Sequence, residues 1–357
     1  MAESLELNPI PARFPAAINT QTKSVAVNSP GSCLSHKHSE ILICNIDNPE
    51  KISRYDSGLI SGDRIALSRN GEWLAAGKFT TEHSLNGFLL SLQIGKKYRF
   101  YQGNVNILSP IKPCGSHCVS FHPSDRILAV AASLGTLVSL LDVQSIIDGK
   151  PIILKQLTEK LNHFECEALA WSYDGNFLAQ QGTYINPGIV QKWLKRCILI
   201  WQISNDNKVF TAKHVTTLGY SGDGLTTDHH PIGLAFDSSG DVLAVGGDGR
   251  ADTIKLFALK GPKHLFTTAH LGSGICWLDF IENTEYLASG SMDGVFRLWR
   301  MVFENEAVSL ILFKEVQCGG QIAGAVTRDS GKTIVVVHAV GKKQIGFLTI
   351  YDAFHDA

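Results

Sequence analysis

The chain has 357 residues, of which 44% are hydrophobic and 18% are charged, and its formal net charge is −1. A balance so close to neutral gives no overall field that would attract nucleic acid or an acidic membrane. The N-terminal residues show neither the basic region nor the apolar run of a secretory signal. The longest uncharged run, Ile127 to Leu141, is too short to span a bilayer. We therefore expect a cytoplasmic chain, with a nuclear location left open and no membrane span.

A short pattern recurs seven times along the chain. Each copy is centred on a turn residue. Apolar residues stand six and four positions before this turn residue. An apolar residue stands three positions after it, and a small or apolar residue follows at the fourth position. The alternation predicts strands, and glycine suits the turn between them. The turn positions are Gly31, Gly71, Asp125, Gly175, Gly240, Thr284 and Gly331. They are separated by 40, 54, 50, 65, 44 and 47 residues.

A third strand follows each pair, and a fourth apolar run fits between most copies. The third strands have apolar anchors at Cys44, Leu92, Leu141, Trp201, Phe257, Trp299 and Tyr351. Four short strands repeated about every 40 to 50 residues are typical of a β-propeller blade. We therefore predict an all-β, seven-bladed propeller of four-stranded antiparallel blades, formed as a single domain by residues 25–357.

The N-terminal segment, residues 1–24, precedes the first repeat. The chain reaches only about the third strand of the seventh copy, which would leave the last blade without an outer strand. We predict that a strand within Leu5 to Ile18 supplies that outer strand and closes the ring. Three prolines in this stretch suit an edge strand and not a central one. The alternative is a disordered tail.

Blades one to three are expected over 25–55, 65–101 and 119–157, with an enlarged loop at 78–87 in the second. Blade four is irregular because two long loops interrupt it, Gln180 to Arg196 and Gly219 to Pro231. In such a blade the loop between the second and third strands and the loop into the next blade lie on the same face. Long loops on a rigid scaffold are frequent binding sites.

We expect these loops, with a turn of blade six, to contact a protein or peptide partner on this top face. The expected contact residues are Tyr184, Lys192, Trp193, Arg196, Tyr220, Asp228, His229 and Met292. Trp193 with its basic neighbours also fits a patch for single-stranded nucleic acid, or a side chain that packs the loop onto its own blade. Nucleic acid is not the partner that we expect, because the overall charge is neutral.

Few residues suggest catalysis or metal binding. Asp228, His229 and His230 could bind a metal or move protons, but adjacent residues on an extended segment point to opposite sides. His36 and His38 share a face, which permits a metal, but a solvent-exposed strand end explains them better. Cys114 and Cys118 span a strand start, where buried reduced thiols are a better explanation than a metal site. The eight cysteines contain no Cys-x-x-Cys pair and fit reduced, buried thiols.

No nucleotide-binding glycine loop, nucleophile elbow or zinc-protease motif occurs. We expect no metal, no cofactor and no catalytic residue. Propeller active sites are assembled from distant loops, however, so an enzyme stays possible.

The repeats resemble those of the WD40 family. The similar segments are NSPGSCLS, SRNGEWLAAG, HPSDRILAV, SYDGNFLA, DSSGDVLAVGG and LASGSMDG…RLW. In the sixth copy, His270, Ser289, Asp293 and Trp299 match the structural tetrad of the family. The Trp-Asp dipeptide is absent, because Gln202 follows Trp201 and Arg300 follows Trp299. The resemblance implies that most blades rely on packing alone.

This resemblance implies a non-enzymatic scaffold that binds protein or peptide partners through its top-face loops, as a subunit or adaptor of a larger complex. The alternative is a metal-assisted propeller enzyme, similar to a lactonase or a hydrolase, with its site at the mouth of the central channel. That function would require several Asp, Glu or His side chains to converge there.

Overall fold

The computed structural model describes most of the chain. The described residues are 2–3, 10–11, 13–19, 21–29, 40–56, 65–78, 86–100, 116–132, 138–157, 164–184, 195–206, 209–220, 233–246, 253–259, 263–269, 274–282, 284–304, 307–328, 333–340, 344–350 and 353–354. They divide into two compact units, residues 1–58 with 226–357 and residues 59–225. The expected single domain stays a prediction.

The strands form seven antiparallel sheets. Two short strands, β1 (Ala2–Glu3) and β2 (Ile10–Pro11), come first. Blade one contains β3 (Arg13–Asn19), β4 (Ser24–Ser29), β5 (Glu40–Asn45) and β6 (Asn48–Asp56). Blade two contains β7 (Ile65–Leu67), β8 (Trp73–Lys78), β9 (Asn86–Ser91) and β10 (Lys97–Arg99). Blade three contains β11 (Ser116–Phe121), β12 (Ile127–Ala132), β13 (Val138–Asp142), helix α1 (Val143–Ile147) and β14 (Ile153–Leu157).

The remaining blades follow the same order. Blade four contains β15 (Phe164–Trp171), β16 (Phe177–Tyr184), β17 (Lys195–Asp206) and β18 (Val209–Tyr220). Blade five contains β19 (Gly233–Phe236), β20 (Val242–Gly246), β21 (Thr253–Ala258) and β22 (Lys263–Ala269). Blade six contains β23 (Ile275–Phe280), β24 (Tyr286–Ser291), β25 (Val295–Glu304) and β26 (Ala307–Gln317). Blade seven contains β27 (Ile322–Arg328), β28 (Thr333–Val340) and β29 (Gln344–Ile350). The predicted seven-bladed β-propeller fold is confirmed.

The N-terminal strands close the last blade, as predicted. Ile10–Pro11 pairs with Gln344–Ile345 of β29, and Ala2–Glu3 pairs with Thr349–Ile350 of the same strand. The first blade, however, begins at Arg13 and not at Val25, because β3 is its first strand. The turn after β3 contains Lys23 at φ 52, so it lacks the glycine that marks most other copies. The turn expected at Gly31 lies outside the described residues.

The described core clusters lie between neighbouring sheets, and blade three buries both of its faces in this way. In β12, Leu128 and Val130 belong to the core between blades two and three, whereas Ala129 and Ala131 belong to the core between blades three and four. Successive side chains of a strand point to opposite faces, so both alternate sets must be apolar. This two-sided burial explains the unbroken apolar run of β12.

A tight turn joins the first two strands with the same hydrogen bonds in successive blades. The N–H groups of Gly71, Asp125, Gly175, Gly240 and Thr284 each donate to the carbonyl oxygen three residues earlier. Gly71, Gly175 and Gly240 have φ values of 73°, 77° and 73°, which disfavour a side chain. The recurring turn position in the sequence therefore reflects a conformational requirement.

The turns of blades two, three and four are linked to one another. The carboxylate of Asp125 accepts from the N–H of Arg69 at 2.6 Å and from the N–H of Asn70 at 2.7 Å. His122 Nε2 lies 3.2 Å from the carbonyl oxygen of Gly175, to which it donates. Burial of His122 lowers its pKa, which favours the neutral ring. Arg69 stacks over the ring of Tyr173 at 4.1 Å.

We expect the substitution Gly175→Ala to destabilise the protein more than Gly149→Ala does. Both glycines have left-handed φ values, 77° and 74°, so each alanine costs about 1–2 kcal/mol of strain. A Cβ at Gly175 would also lie 2.0 Å from His122 Nε2, whereas nothing lies within 4 Å at Gly149. Urea unfolding of both variants measures the difference. Equal losses in the free energy of unfolding would contradict the linkage through His122.

Candidate interaction surface

The upper edge of a blade is the end of its sheet where the second and third strands connect and where the fourth strand leads into the next blade. The expected partner contacts that the structure describes lie at upper edges. Lys192, Trp193, Asp228 and His229 lie outside the described residues, as does His270 of the expected tetrad. Tyr184, Arg196, Tyr220 and Met292 are described and can be placed.

Backbone register brings three of the predicted residues to the same end of blade four. Arg196 stands opposite Tyr220 of β18 and opposite Thr183 of β16. Tyr184, the last residue of β16, stands opposite Lys195. The backbones of Tyr184, Arg196 and Tyr220 therefore lie on three neighbouring strands at the upper edge.

Met292 lies in the turn between β24 and β25, and 45% of its surface is exposed. Its N–H donates to the carbonyl oxygen of Gly274 at 3.0 Å. The N–H of Val295 donates to Ser291 Oγ at 3.1 Å, and Ser291 Oγ donates to the carboxylate of Asp293. The turn therefore presents an apolar side chain and an exposed carboxylate on a backbone fixed by hydrogen bonds.

The loop from blade six into blade seven holds this turn from the other side. The N–H of Cys318 donates to the carbonyl oxygen of Gly294 at 2.7 Å, and Gln317 Nε2 donates to that of Asp293 at 3.1 Å. A Cβ at Gly320 would lie 2.7 Å from the carbonyl oxygen of Ala339. The backbones thus approach closely, and glycine permits the approach. The adjacent glycines 319 and 320 are the signal in the sequence from which this approach could have been predicted.

A buried cation stands below this turn. The side chain of Arg297 on β25 is only 5% exposed, and its Nε lies 2.6 Å from Glu315 Oε2 on β26. The side chain of Glu315 is 49% exposed, so the pair joins a buried guanidinium to a carboxylate that water reaches. Asp293 is exposed in the turn above it.

Part of the expected tetrad is present in blade six. Trp299 Nε1 donates to Ser289 Oγ at 2.8 Å, and Ser289 is fully buried. Asp293 belongs to the turn just described, and His270 lies outside the described residues. The hydrogen bond ties the third strand to the second across the blade interior.

Blade four contains a counterpart that the sequence did not reveal. Trp201 Nε1 lies 3.4 Å from Oε1 of Gln180, which is fully buried. Gln180 and Ser289 both stand five positions after the turn residues of their blades. A glutamine therefore takes the place of the serine, and this blade does not rely on packing alone. The difference in residue type hides the correspondence in the sequence.

The described residues show no assembled metal site. They contain no group of three or more His, Cys, Asp or Glu that could hold a metal ion. Burial raises the pKa of Cys44 and Cys197 to about 11, and that of Cys276 and Cys318 to about 12. These thiols are therefore protonated at neutral pH and poor nucleophiles. Among the described helices, none is long and apolar enough to cross a membrane.

Asp279 is the carboxyl group with the largest upward pKa shift among the described residues. It lies on β23, the first strand of blade six, opposite Ala288. The residue as a whole is half-buried, but protein atoms crowd its carboxyl group. This burial, with a smaller contribution from the nearby carboxylate of Glu282, raises its pKa to about 7. Perturbed carboxyl groups occur in active sites, but also in structural positions.

The substitution Trp299→Phe should lower the free energy of unfolding by about 1–3 kcal/mol, because it leaves Ser289 Oγ without its indole donor. The matched variant Trp201→Phe loses a similar volume but only the longer 3.4 Å contact with Gln180. We expect a smaller loss in the free energy of unfolding for Trp201→Phe. Thermal and urea unfolding of both variants would measure the losses. A larger loss for Trp201→Phe would contradict this ranking.

The substitution Asp279→Asn should stabilise the protein at neutral and alkaline pH. Burial raises the pKa of Asp279 from 3.8 to about 7, so the folded protein binds a proton that the unfolded chain releases. Stability is therefore lost as pH rises through this window. The neutral amide avoids that loss. The expected gain in the free energy of unfolding is up to about 4 kcal/mol above pH 7 and is small below pH 4. A gain in the free energy of unfolding that does not change with pH, measured by urea titration, would contradict the raised pKa of Asp279.

Comparison with known proteins supports the fold. Residues 262–300 match the family described as WD domain, G-beta repeat. This segment spans the end of blade five and the first three strands of blade six. No curated protein matches the sequence.

Among solved structures, a chain of the crystal structure of the mitotic checkpoint complex is similar, with a TM-score of 0.65 and 15% identity. The similarity covers 99% of this chain and 94% of that one. At this identity the similarity shows the fold alone. One blade thus matches the WD repeat, and the chain as a whole has the seven-bladed β-propeller fold.

Proposed function

We propose that the protein is a non-enzymatic scaffold that binds protein or peptide partners through its upper-edge loops. The observation that carries this proposal is the Met292 turn of blade six. An apolar side chain, 45% exposed, stands there beside the exposed residues Asp293 and Gln317. Flexible apolar side chains such as methionine are frequent at surfaces that accept peptides.

The order of this turn supports a role in recognition. Binding costs free energy whenever loops and side chains must be ordered at the interface. The turn around Met292 is already held by the carbonyl of Gly274 and by the loop that contains Cys318. A partner that docks there orders only its own residues, so a modest contact area suffices for specific binding.

Blade four supplies a second set of contacts. Tyr184, Arg196 and Tyr220 come to one end of the sheet in backbone register. Tyrosine and arginine are enriched among the residues that dominate protein interfaces. We propose that they act with Lys192, Trp193, Asp228 and His229 of the two long loops. These loops would set which partner is chosen.

The protein would act as a subunit or adaptor of a larger complex in the cytoplasm. The similar chain in the mitotic checkpoint complex is part of an assembly, which is consistent with such a role. Within each sheet the strands are paired by hydrogen bonds, and the connections differ in length between blades. Such a design suits recognition of more than one protein.

The alternative is a propeller enzyme, and Asp279 is the observation that favours it. A carboxyl group with a pKa of about 7 can act as a general acid or base. Glu282 is its charged neighbour. A hydrolase would need further acidic or histidine groups converging on the same reacting atoms. We favour the scaffold, without cofactor or metal, because the exposed Met292 turn is better suited to binding.

A pull-down of the tagged protein from its native cells tests the proposal. Replacing Met292 with Asp should remove a discrete set of partners, because a charge in an apolar contact costs about 1–3 kcal/mol. Replacing Trp193 and Arg196 together with Ala should remove partners bound through the blade-four loop. Mass spectrometry of the captured proteins is the measurement.

Ile311→Asp is the matched control for Met292→Asp. Ile311 is 55% exposed on β26 of the same blade, away from the upper edge, and receives the same charge. We expect this control to retain all partners. Full retention by both upper-edge variants would overturn the proposed surface. Equal loss in the control would show that the charge, and not its position, matters.

A further inference from the structure

The outer strand of blade six, β26, is a long apolar edge. Among the described strands it pairs with β25 alone, so its other side is bonded to no described strand. Its first seven residues, Ala307 to Phe313, include no charged residue, glycine or proline. An edge of this composition is a template for pairing with a further strand.

The outer strands of blades one to three are protected against such pairing. β6 contains Pro49, Lys51 and Arg54. β10 has only three residues, of which two are charged, and β14 has Lys155 at its centre. Short length, proline and charge are the usual means by which an edge strand avoids a partner. The first seven residues of β26 have none of these, so this edge differs from its counterparts.

Two large apolar side chains of β26 are exposed. Ile311 is 55% exposed and Leu312 is 44% exposed. As successive residues of a strand they point to opposite faces of the sheet. A partner that docks on one face would leave the other side chain in water, whereas a strand added beside β26 contributes side chains to both faces. The pattern therefore favours a partner in extended conformation.

The part of the edge that can accept a strand has a defined middle. The hairpin turn precedes Ala307, and Phe313 is the extra residue of a bulge, where the register with β25 shifts. Bulges interrupt regular pairing. The regular stretch is therefore Val308 to Leu312, and its middle residue is Leu310.

A second copy of the same strand fits this stretch. In an antiparallel pair related by a two-fold axis the contacts are reciprocal, and the middle residue stands opposite its own copy. With Leu310 on the axis, Ile311 stands opposite Ser309 of the second copy, and Leu312 stands opposite Val308. The exposed isoleucine thus meets a small residue on one face, and the exposed leucine meets an aliphatic residue on the other.

The charges of β26 are compatible with this pairing. Val308 to Leu312 contains no charged residue, so two copies bring no like charges together within it. Glu306 precedes the stretch in the sequence and Lys314 follows it. Antiparallel pairing brings position 306 of one copy to position 314 of the other. Opposite charges therefore meet at both ends, which favours a second copy over an unrelated strand.

We propose that the protein self-associates through antiparallel pairing of β26 with β26 of a second copy. Blade six and its counterpart then form one continuous sheet of eight strands. Five paired residues form a contact at the small end of specific interfaces, which begin near about 1,200 Å² of total buried area. The dimer is therefore weak and forms as the concentration rises. It does not depend on the upper-edge loops.

Sedimentation equilibrium of the purified full chain tests this proposal. Between about 1 and 100 µM the average mass should rise from that of one chain towards that of two. A mass that stays at that of one chain throughout would overturn the proposal. A chain that stays monomeric but binds an unrelated protein through Ile311 would also overturn it.

Charge at the centre of the edge should prevent the association. Ile311→Lys with Leu312→Lys brings like charges together across the axis, so we expect association weaker by at least about tenfold. Ile311→Asp should weaken it in the same way while the upper edge stays intact, which separates loss of the dimer from loss of upper-edge partners. The melting temperature of each variant shows whether it is folded.

The matched control is Ile152→Lys with Val215→Lys. These residues are 56% and 39% exposed in blades three and four, and the net charge changes by the same amount as in the double lysine variant of β26. The control should associate within about twofold of the unmodified protein. An equal loss in the control would overturn the assignment to β26.

Cysteine cross-linking tests the register. Ser309→Cys with Ile311→Cys places two cysteine pairs opposite each other in the dimer, at a Cβ separation of about 4.5–5.5 Å. Mild oxidation should therefore give a covalent dimer on non-reducing electrophoresis. Ser309→Cys with Leu312→Cys adds as many thiols but places no two of them opposite, so it should give little. Equal yields, or no covalent dimer from the first variant, would overturn the proposed pairing.

Discussion

Neighbouring sheets of this protein share apolar cores, so a blade between two such cores cannot shield its side chains from water alone. In β12 alternate residues enter two different cores, Leu128 and Val130 on one side and Ala129 and Ala131 on the other. Burial on both sides ties blade three to blades two and four, as in other repeat proteins. The residues proposed for recognition lie outside these shared cores, where strands end and loops begin.

The same constraint decides how far the fold could be predicted from the sequence. The turn that joins the first two strands needs a left-handed residue, and glycine at 71, 175 and 240 made the period visible. The first strand of blade one stayed hidden because Lys23 adopts the left-handed conformation without being glycine. Val25 and Val27 then resembled a first strand, since first and second strands are both apolar when both faces are buried. The blade boundary was therefore shifted by one strand.

The candidate site was predictable only in part, for a different reason. Strand ends follow from the repeat, which is why Tyr184, Arg196 and Tyr220 were placed at one edge of blade four. Hydrogen-bond partners depend on geometry and not on residue type. Gln180 stands where blade six has Ser289, and no sequence pattern equates glutamine with serine. Likewise, the close approach of Gly320 to Ala339 is a property of two loops that are distant in sequence.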